Sequence, residues 1–215
     1  MVKAVFFDLW NTLVYCPTKE KVEEMVSALG LSGRIDYYGF IEELDRTVFV
    51  DSELEVEEAL IGISRRYGAD PSDTQLKAAS DLWGSRLQGA EFFPDVKPAL
   101  EELSKTYRLG VISNTDRSGA EYLKSKPIFK EFHVTVMSCY EGYAKPEKAI
   151  FEAAAHGIGV KPSDAWMVGD NPKDDVEGAR KAGLNAILID RLGRHKAGKG
   201  YHVIRSLTEI KEVIE

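Results

Sequence analysis

Residues 4–13, Ala4-Val5-Phe6-Phe7-Asp8-Leu9-Trp10-Asn11-Thr12-Leu13, decide the fold. The first four are apolar without alternation, the pattern of a strand covered on both faces in a parallel sheet. Asp8 ends that run where a tight turn begins. A carboxylate at such a place is held rigid, stripped of much of its water and usable as a nucleophile. Two positions on, where a second acid would be useful, the chain carries Trp10.

Further along, short apolar runs predict buried strands at Leu109 to Ile112, His133 to Met137, Ala165 to Val168 and Ala186 to Ile189. Amphipathic helices separate several of them. Lys145-Pro146-Glu147 places a proline at a first helical position, with Ile150, Phe151 and Ala154 on one face and Gly157 where a left-handed cap belongs. Val176, Ala179 and Ala182 repeat the pattern before Gly183. Strands alternating with helices in this way predict an α/β fold, a doubly wound parallel sheet of Rossmann type. Such sheets bind ligands at the carboxyl ends of their strands, where the strand order reverses.

Residues 16–88 have a different pattern. Val22, Met25, Val26 and Leu29 mark one helical face; Tyr37, Ile41, Leu44 and Val48 mark a second. Val56, Ala59, Leu60, Ile63 and Tyr67 mark a third, and Asp70-Pro71 opens a fourth carrying Leu76, Ala79 and Trp83. Four helices without an intervening strand predict a separate bundle, inserted into a core made of residues 1–15 and 89–215. An insertion at the carboxyl end of the first strand overhangs the expected site as a cap.

Composition narrows the functional classes. The chain has 215 residues, 44% hydrophobic and 29% charged, enough to bury a core without disulfides. Two cysteines, Cys16 and Cys139, make neither a disulfide framework nor a metal cluster, which fits a reducing cytoplasm. No apolar stretch approaches a membrane span, and the immediate entry into a strand leaves no room for a signal peptide. A net charge of -7 without a polybasic arm argues against nucleic-acid and membrane-surface partners. A small-molecule ligand is expected, with the protein a monomer or homodimer.

Four signals fall at the predicted strand ends: Asp8 to Thr12; Ile112-Ser113-Asn114-Thr115; Lys145 before its helix; and Gly169-Asp170-Asn171-Pro172-Lys173-Asp174-Asp175. Taken singly, each has a plainer reading. Asp8 and Ser113 serve as turn residues, Lys145 as a solvated lysine, and the acidic loop as N-cap chemistry. Taken together they fit one reaction. A phosphate monoester carries about two negative charges, which must be offset before a carboxylate attacks it. Lys145, Ser113 and the N–H groups of the turns at Leu9, Trp10 and Asn114 are suited to hold phosphoryl oxygens. A hard cation such as Mg²⁺ on Asp8 and Asp170, its shell oriented by Asp174 and Asp175, bridges carboxylate and phosphate. Attack by Asp8 gives an aspartyl-phosphate that water hydrolyses.

These segments, in this order and with a helical insertion after the first, resemble the haloacid dehalogenase superfamily over essentially the whole chain. The resemblance implies Asp8 as nucleophile, Thr12 as a hydrogen-bonding stabiliser of its loop, and Ser113 and Lys145 as charge-stabilising ligands. It implies Asp170 as a metal ligand with Asp175 in support, the Trp10 carbonyl as another ligand, and a cap that gates the site and selects substrate. Two activities within the superfamily compete. Its phosphatases resemble this chain in the acidic fourth motif but usually carry aspartate at the Trp10 position. Its haloacid dehalogenases carry an aromatic residue there, lack the metal-binding acid and receive halide on a cap arginine. Tyr37-Tyr38-Gly39-Phe40 stands where that arginine is expected, with Arg34 and Arg46 near in sequence.

Charge favours the phosphatase, acting with Mg²⁺ on a small phosphorylated metabolite, because extra acids in a cation-free site would repel an anionic haloacid. The alternatives are a 2-haloacid dehalogenase using Asp8 on carbon, and a binder of phosphorylated metabolites without turnover. An indole neither protonates a leaving alkoxide nor activates water. A phosphatase with Trp10 therefore prefers good leaving groups or borrows an acid from the cap. Arg65, Arg66 and Arg86 are cap cations that could meet substrate. The segment Arg191 to His202, with Arg194, His195, Lys196 and Lys199, reads as a solvated loop after the last core strand.

Overall fold

In the computed structural model, which describes residues 2–195 and 200–215, β1 (Ala4–Phe7) lies inside the sheet with both faces covered. Val5 and Phe7 pack into one hydrophobic cluster and Ala4 and Phe6 into another on the opposite face, which is why the run shows no polar alternation. Among the described residues the chain next forms a short strand β2 (Val14–Tyr15) and the helices α1 (Thr18–Ala28), α2 (Tyr37–Asp45), α3 (Val56–Arg66) and α4 (Asp73–Ser85). It returns through β3 (Glu91–Phe92), which pairs antiparallel with β2, so the four-helix insertion leaves and rejoins the core through a two-stranded ribbon. After α5 (Val96–Leu103) come β4 (Arg108–Ser113), α6 (Arg117–Lys124), β5 (Val134–Met137), α7 (Ser138–Glu141) and α8 (Lys148–Ile158). Then follow β6 (Ala165–Gly169), a π-helical turn Pro172–Glu177, α9 (Gly178–Lys181), β7 (Asn185–Ile189), β8 (His202–Ile204) and α10 (Ile210–Ile214).

The six-stranded sheet runs β5-β4-β1-β6-β7-β8, with every neighbouring pair parallel. The chain steps outward from β1 to β4 and β5, then crosses to the other side for β6, β7 and β8. The order therefore reverses at β1, and Asp8 sits at the carboxyl end of that strand, where such sheets place ligands. The four inserted helices close on their own cluster, with Met25, Leu29, Phe40, Leu44, Leu60, Ile63, Ala79 and Trp83 buried in it. No helix among the described residues is long and apolar enough to cross a membrane. Both cysteines are buried and free.

Four expectations are corrected. Pro146 does not begin a helix: α8 starts at Lys148 behind Glu147, because the Lys145 backbone is tied on both sides to the Asn114 side chain. Gly157 lies inside α8, and Gly159 takes the left-handed cap, because Ile158 buries on the face of Ile150, Phe151 and Ala154. The run at Ala186 is not the last core strand, since β8 pairs beyond it. Nor is the segment after Asp190 simply solvated. Arg191 stacks on Phe93 and binds Asp95 at 3.0 Å and the Thr12 carbonyl at 2.6 Å, pinning the turn that follows Asp8. Lys196 and Lys199 lie outside the described residues.

Candidate active site

Asp8 is positioned by β1 and by the turn after it. Its N–H bonds to the Val168 carbonyl at 2.9 Å, and Leu13 and Val14 both donate to the Leu9 carbonyl, closing a tight loop. Asn11 takes a left-handed conformation, φ 59°, which asparagine tolerates better than most residues. The loop points its carboxylate at Lys145, whose Nζ lies 2.6 Å from Asp8 Oδ1 and 2.6 Å from Asp175 Oδ1. All three groups are buried.

Asp170 completes the cluster. One carboxylate oxygen from each of Asp8, Asp170 and Asp175 lies within 4.8 Å of the others. Three carboxylates against one ammonium in a poorly hydrated place make it costly to ionise all three at once. Burial pushes Asp8 up to about 6, with Lys145 opposing and Asp175 reinforcing the shift. Burial pushes Asp170 up to about 8, helped by Asp8 and Asp175 and resisted by Lys145 and Asn11. For Lys145, burial acts downward, but Asp175 and Asp8 outweigh it and hold the ammonium above its ordinary range.

The acidic loop is set by close packing. A Cβ on Gly169 would stand 2.2 Å from Asp175 Cγ, so the glycine makes the room that the carboxylate occupies. Asp175 Oδ2 accepts from Asn171 N at 2.9 Å, and the Asn171 side chain caps Lys173 and Asp174 while donating to Asp174 at 2.6 Å. Asp175 thus has both oxygens engaged, whereas Asp170 forms no salt bridge among the described residues and feels Lys145 only through space.

The other expected residues divide. Asn114 lines the cavity and clasps Lys145, accepting from its N at 2.7 Å and donating to its O at 2.9 Å. Ser113, Leu9 and Thr12 are fully buried beneath it. Ser113 Oγ makes one long bond of 3.4 Å to Asn114 O, and the Leu9 backbone N–H beside the Asp8 carboxylate favours its charged form. Thr12 Oγ1 is buried without a hydrogen-bond partner among the described residues. Trp10 does not lean on the inserted helices. Its ring lies 6.0 Å from that of Tyr122 on α6, its Nε1 donates to Thr115 Oγ1 at 3.3 Å, and it presses so close to Gly119 that a Cβ there would meet it at 2.9 Å.

The cavity above these groups is about 690 Å³ and is walled by the core and by the inserted helices. The cap cations expected there are committed elsewhere. Arg34 binds the Tyr67 and Gly68 carbonyls, Arg46 and Arg66 pair with buried Glu43, and Arg65 pairs with Asp70. Arg86 reaches the cavity wall, but its guanidinium is held by Asp116 and Ser118. Arg194 and His195 line the same space.

Asp45 escaped the sequence reading. Tyr37, Ile41 and Asp45, four residues apart on α2, all line the cavity, while Phe40 and Leu44 bury among the inserted helices. A single face through Tyr37, Ile41, Leu44 and Val48 had merged these two stripes. The i, i+4 spacing of an acid behind Tyr37 and Ile41 was the signal that separates them.

A sequence model of the family described as haloacid dehalogenase-like hydrolase matches residues 2–183. The chain is 32% identical to the glyceraldehyde 3-phosphate phosphatase of Methanopyrus kandleri, over 89% of this chain and 85% of that protein. Among solved structures it resembles the 2-haloacid dehalogenase of Pseudomonas syringae pv. Tomato DC3000, with a TM-score of 0.67 and 27% identity, covering 100% of this chain and 98% of that one. It also shares the fold of a HAD phosphatase from Thermococcus onnurineus, with a TM-score of 0.70 and 23% identity, covering 99% of this chain and 98% of that one.

Proposed function

This chain belongs to the haloacid dehalogenase-like hydrolases, and we propose that it is a Mg²⁺-dependent phosphatase of small phosphorylated metabolites that works through an aspartyl-phosphate on Asp8. The observation that carries this reading is the convergence of three buried or nearly buried carboxylates, Asp8, Asp170 and Asp175, on the single ammonium of Lys145. The donors fit a hard dication. All are oxygens, Asp8 and Asp170 would hold the ion with the Trp10 carbonyl, and Asp175 would fix Lys145 and orient the shell. When bound, Mg²⁺ would offset the charge that otherwise repels the phosphate from the carboxylate.

The chain's own residues do the rest. Lys145 and the Asn114 N–H receive phosphoryl oxygens, with the Ser113 hydroxyl beneath giving up its long bond to Asn114 O. Thr12 Oγ1, still unspent, lies under the nucleophile loop. Asp8 attacks phosphorus, the ester oxygen leaves, and water later cleaves the acyl phosphate. Helices α1–α4, residues 16–88 with their flanks, act as a cap that closes over the cavity and selects the organic part of the substrate.

Dehalogenation has Trp10 in its favour. Against it stand the retained Asp170 and Asp175, the commitment of Arg34 and Arg46 to partners away from the cavity, and the likeness to a named phosphatase over most of the chain. A side-by-side assay separates the two. p-Nitrophenyl phosphate is expected to release phosphate in Mg²⁺ and to stop in EDTA, with 2-chloropropionate releasing no halide; metal-independent chloride release would overturn the proposal.

Gly169→Ala tests the acidic loop. The added methyl meets Asp175 head-on, so phosphate release should fall about 10–100-fold and half-maximal activity should need more Mg²⁺, as when the groups behind metal ligands are disturbed. An alanine variant with unaltered rate and Mg²⁺ dependence would show that Asp175 has no part in setting the site.

A further inference from the structure

Taking the phosphatase reading as given, we infer that Asp45, carried on the inserted helix α2, is the general acid and base of the reaction, supplying from above the site the proton that Trp10 has no means to supply. Trp10 is turned onto α6 with its Nε1–H donated to Thr115, and an indole neither gives nor takes a proton near neutral pH. Asp45 lines the cavity that holds Asp8, Lys145 and Asp170, and is the acid the four inserted helices contribute to its described wall. Its Oδ1 accepts from Asn114 Nδ2 at 3.3 Å. Asn114 in turn clasps the Lys145 backbone, and Lys145 Nζ touches Asp8. One amide and one lysine separate Asp45 from the nucleophile, and its second oxygen has no protein partner among the described residues.

The surroundings also place its proton. Burial is the main influence, Asp174 and Glu42 add to it, Lys145 and the Asn114 hydrogen bond oppose it, and together they push Asp45 up to about 7. Lys173 is drawn off to Glu42 at 3.2 Å. Near neutral pH the carboxyl therefore exists in both forms, which a group that must give and then take a proton needs.

The step balances. Asp8 bonds to phosphorus as the bond from phosphorus to the ester oxygen breaks. That oxygen takes the Asp45 proton and leaves as the alcohol, and Asp45 becomes a carboxylate. Water then attacks the acyl phosphate, passes one proton to Asp45 and its hydroxyl to phosphorus, and releases Asp8 and inorganic phosphate.

The test is an aryl series of similar shape (p-nitrophenyl, phenyl and 4-methoxyphenyl phosphates) read as kcat/KM, which reports only the steps through formation of the aspartyl-phosphate. Asp45→Asn, which keeps an acceptor for Asn114, should lose a few-fold on the nitrophenyl ester and about 10²-fold on the methoxyphenyl ester. Asp45→Glu should recover part of that gap. In the wild type, kcat/KM for phenyl phosphate should decline as the pH rises through about 7, and Asp45→Asn should lack that limb. A loss that is uniform across the series, or absent, overturns the assignment while leaving the phosphatase reading intact. A wild type inert to every ester in Mg²⁺ overturns the phosphatase reading itself.

Discussion

Asp8→Asn leaves a folded protein whose phosphate release is lower by on the order of 10⁴-fold or more, the usual scale when a covalent nucleophile is removed. The substitution keeps the size and planarity of the group and retains an oxygen to accept from Lys145 Nζ, now 2.6 Å from Asp8 Oδ1. It does not keep the negative charge that makes the oxygen nucleophilic enough to bond to phosphorus. Because Asp175 also holds Lys145 at 2.6 Å, the ammonium stays paired and melting should change little. The loss is therefore chemical. Acid-quenched wild type should carry phosphate on the chain in a form that hydroxylamine removes, and the asparagine variant should carry none. Turnover within tenfold of wild type would mean that a water, and not Asp8, attacks phosphorus.

The sheet could be read from sequence because a strand covered on both faces leaves a plain signature. Ala4 to Phe7 and Leu109 to Ile112 are apolar in succession, since neither face of those strands meets water. The two-residue strands β2 and β3 and the edge strand at His202 have too few residues to impose a period. The site was legible as residue types at strand ends and less so as geometry. Asp8, Lys145, Asp170 and Asp175 converge because the parallel topology brings the carboxyl ends of β1 and β6 side by side. Side chains aimed by packing were not legible. Trp10 turns onto α6 because Gly119 leaves room for its ring. Asp45 faces the cavity because α2 presents two stripes to two different neighbours. Arg86 is a cation whose role is settled by a partner 30 residues further on.

That last pair carries the largest expected effect on stability. Arg86, just past the end of α4, and Asp116, which caps the N-terminus of α6, are both buried and form an ion pair across the junction between the inserted helices and the core. Both carboxylate oxygens of Asp116 and both terminal nitrogens of Arg86 are used. Asp116 Oδ1 also accepts from Gly119 N at 3.0 Å, and its Oδ2 accepts from Trp83 Nε1 at 2.9 Å and Ser118 Oγ at 2.8 Å. Arg86 donates to the Trp83 carbonyl at 2.9 Å and stacks 3.7 Å over the Trp83 ring. Asp116→Ala deletes the helix cap and strands a guanidinium out of water, a combination that costs about 3–5 kcal/mol. For a chain of this length that corresponds to a fall of about 6–20 °C in Tm. Replacing both partners, Arg86→Met with Asp116→Asn, should recover more than half of the loss. The double variant has no buried charge to strand, and its amide still accepts from Trp83 or Gly119. Thermal denaturation followed by circular dichroism measures all three proteins. A single variant that melts within 2 °C of wild type would show that the guanidinium finds water on its own, and that the helices do not depend on this pair to stay on the core.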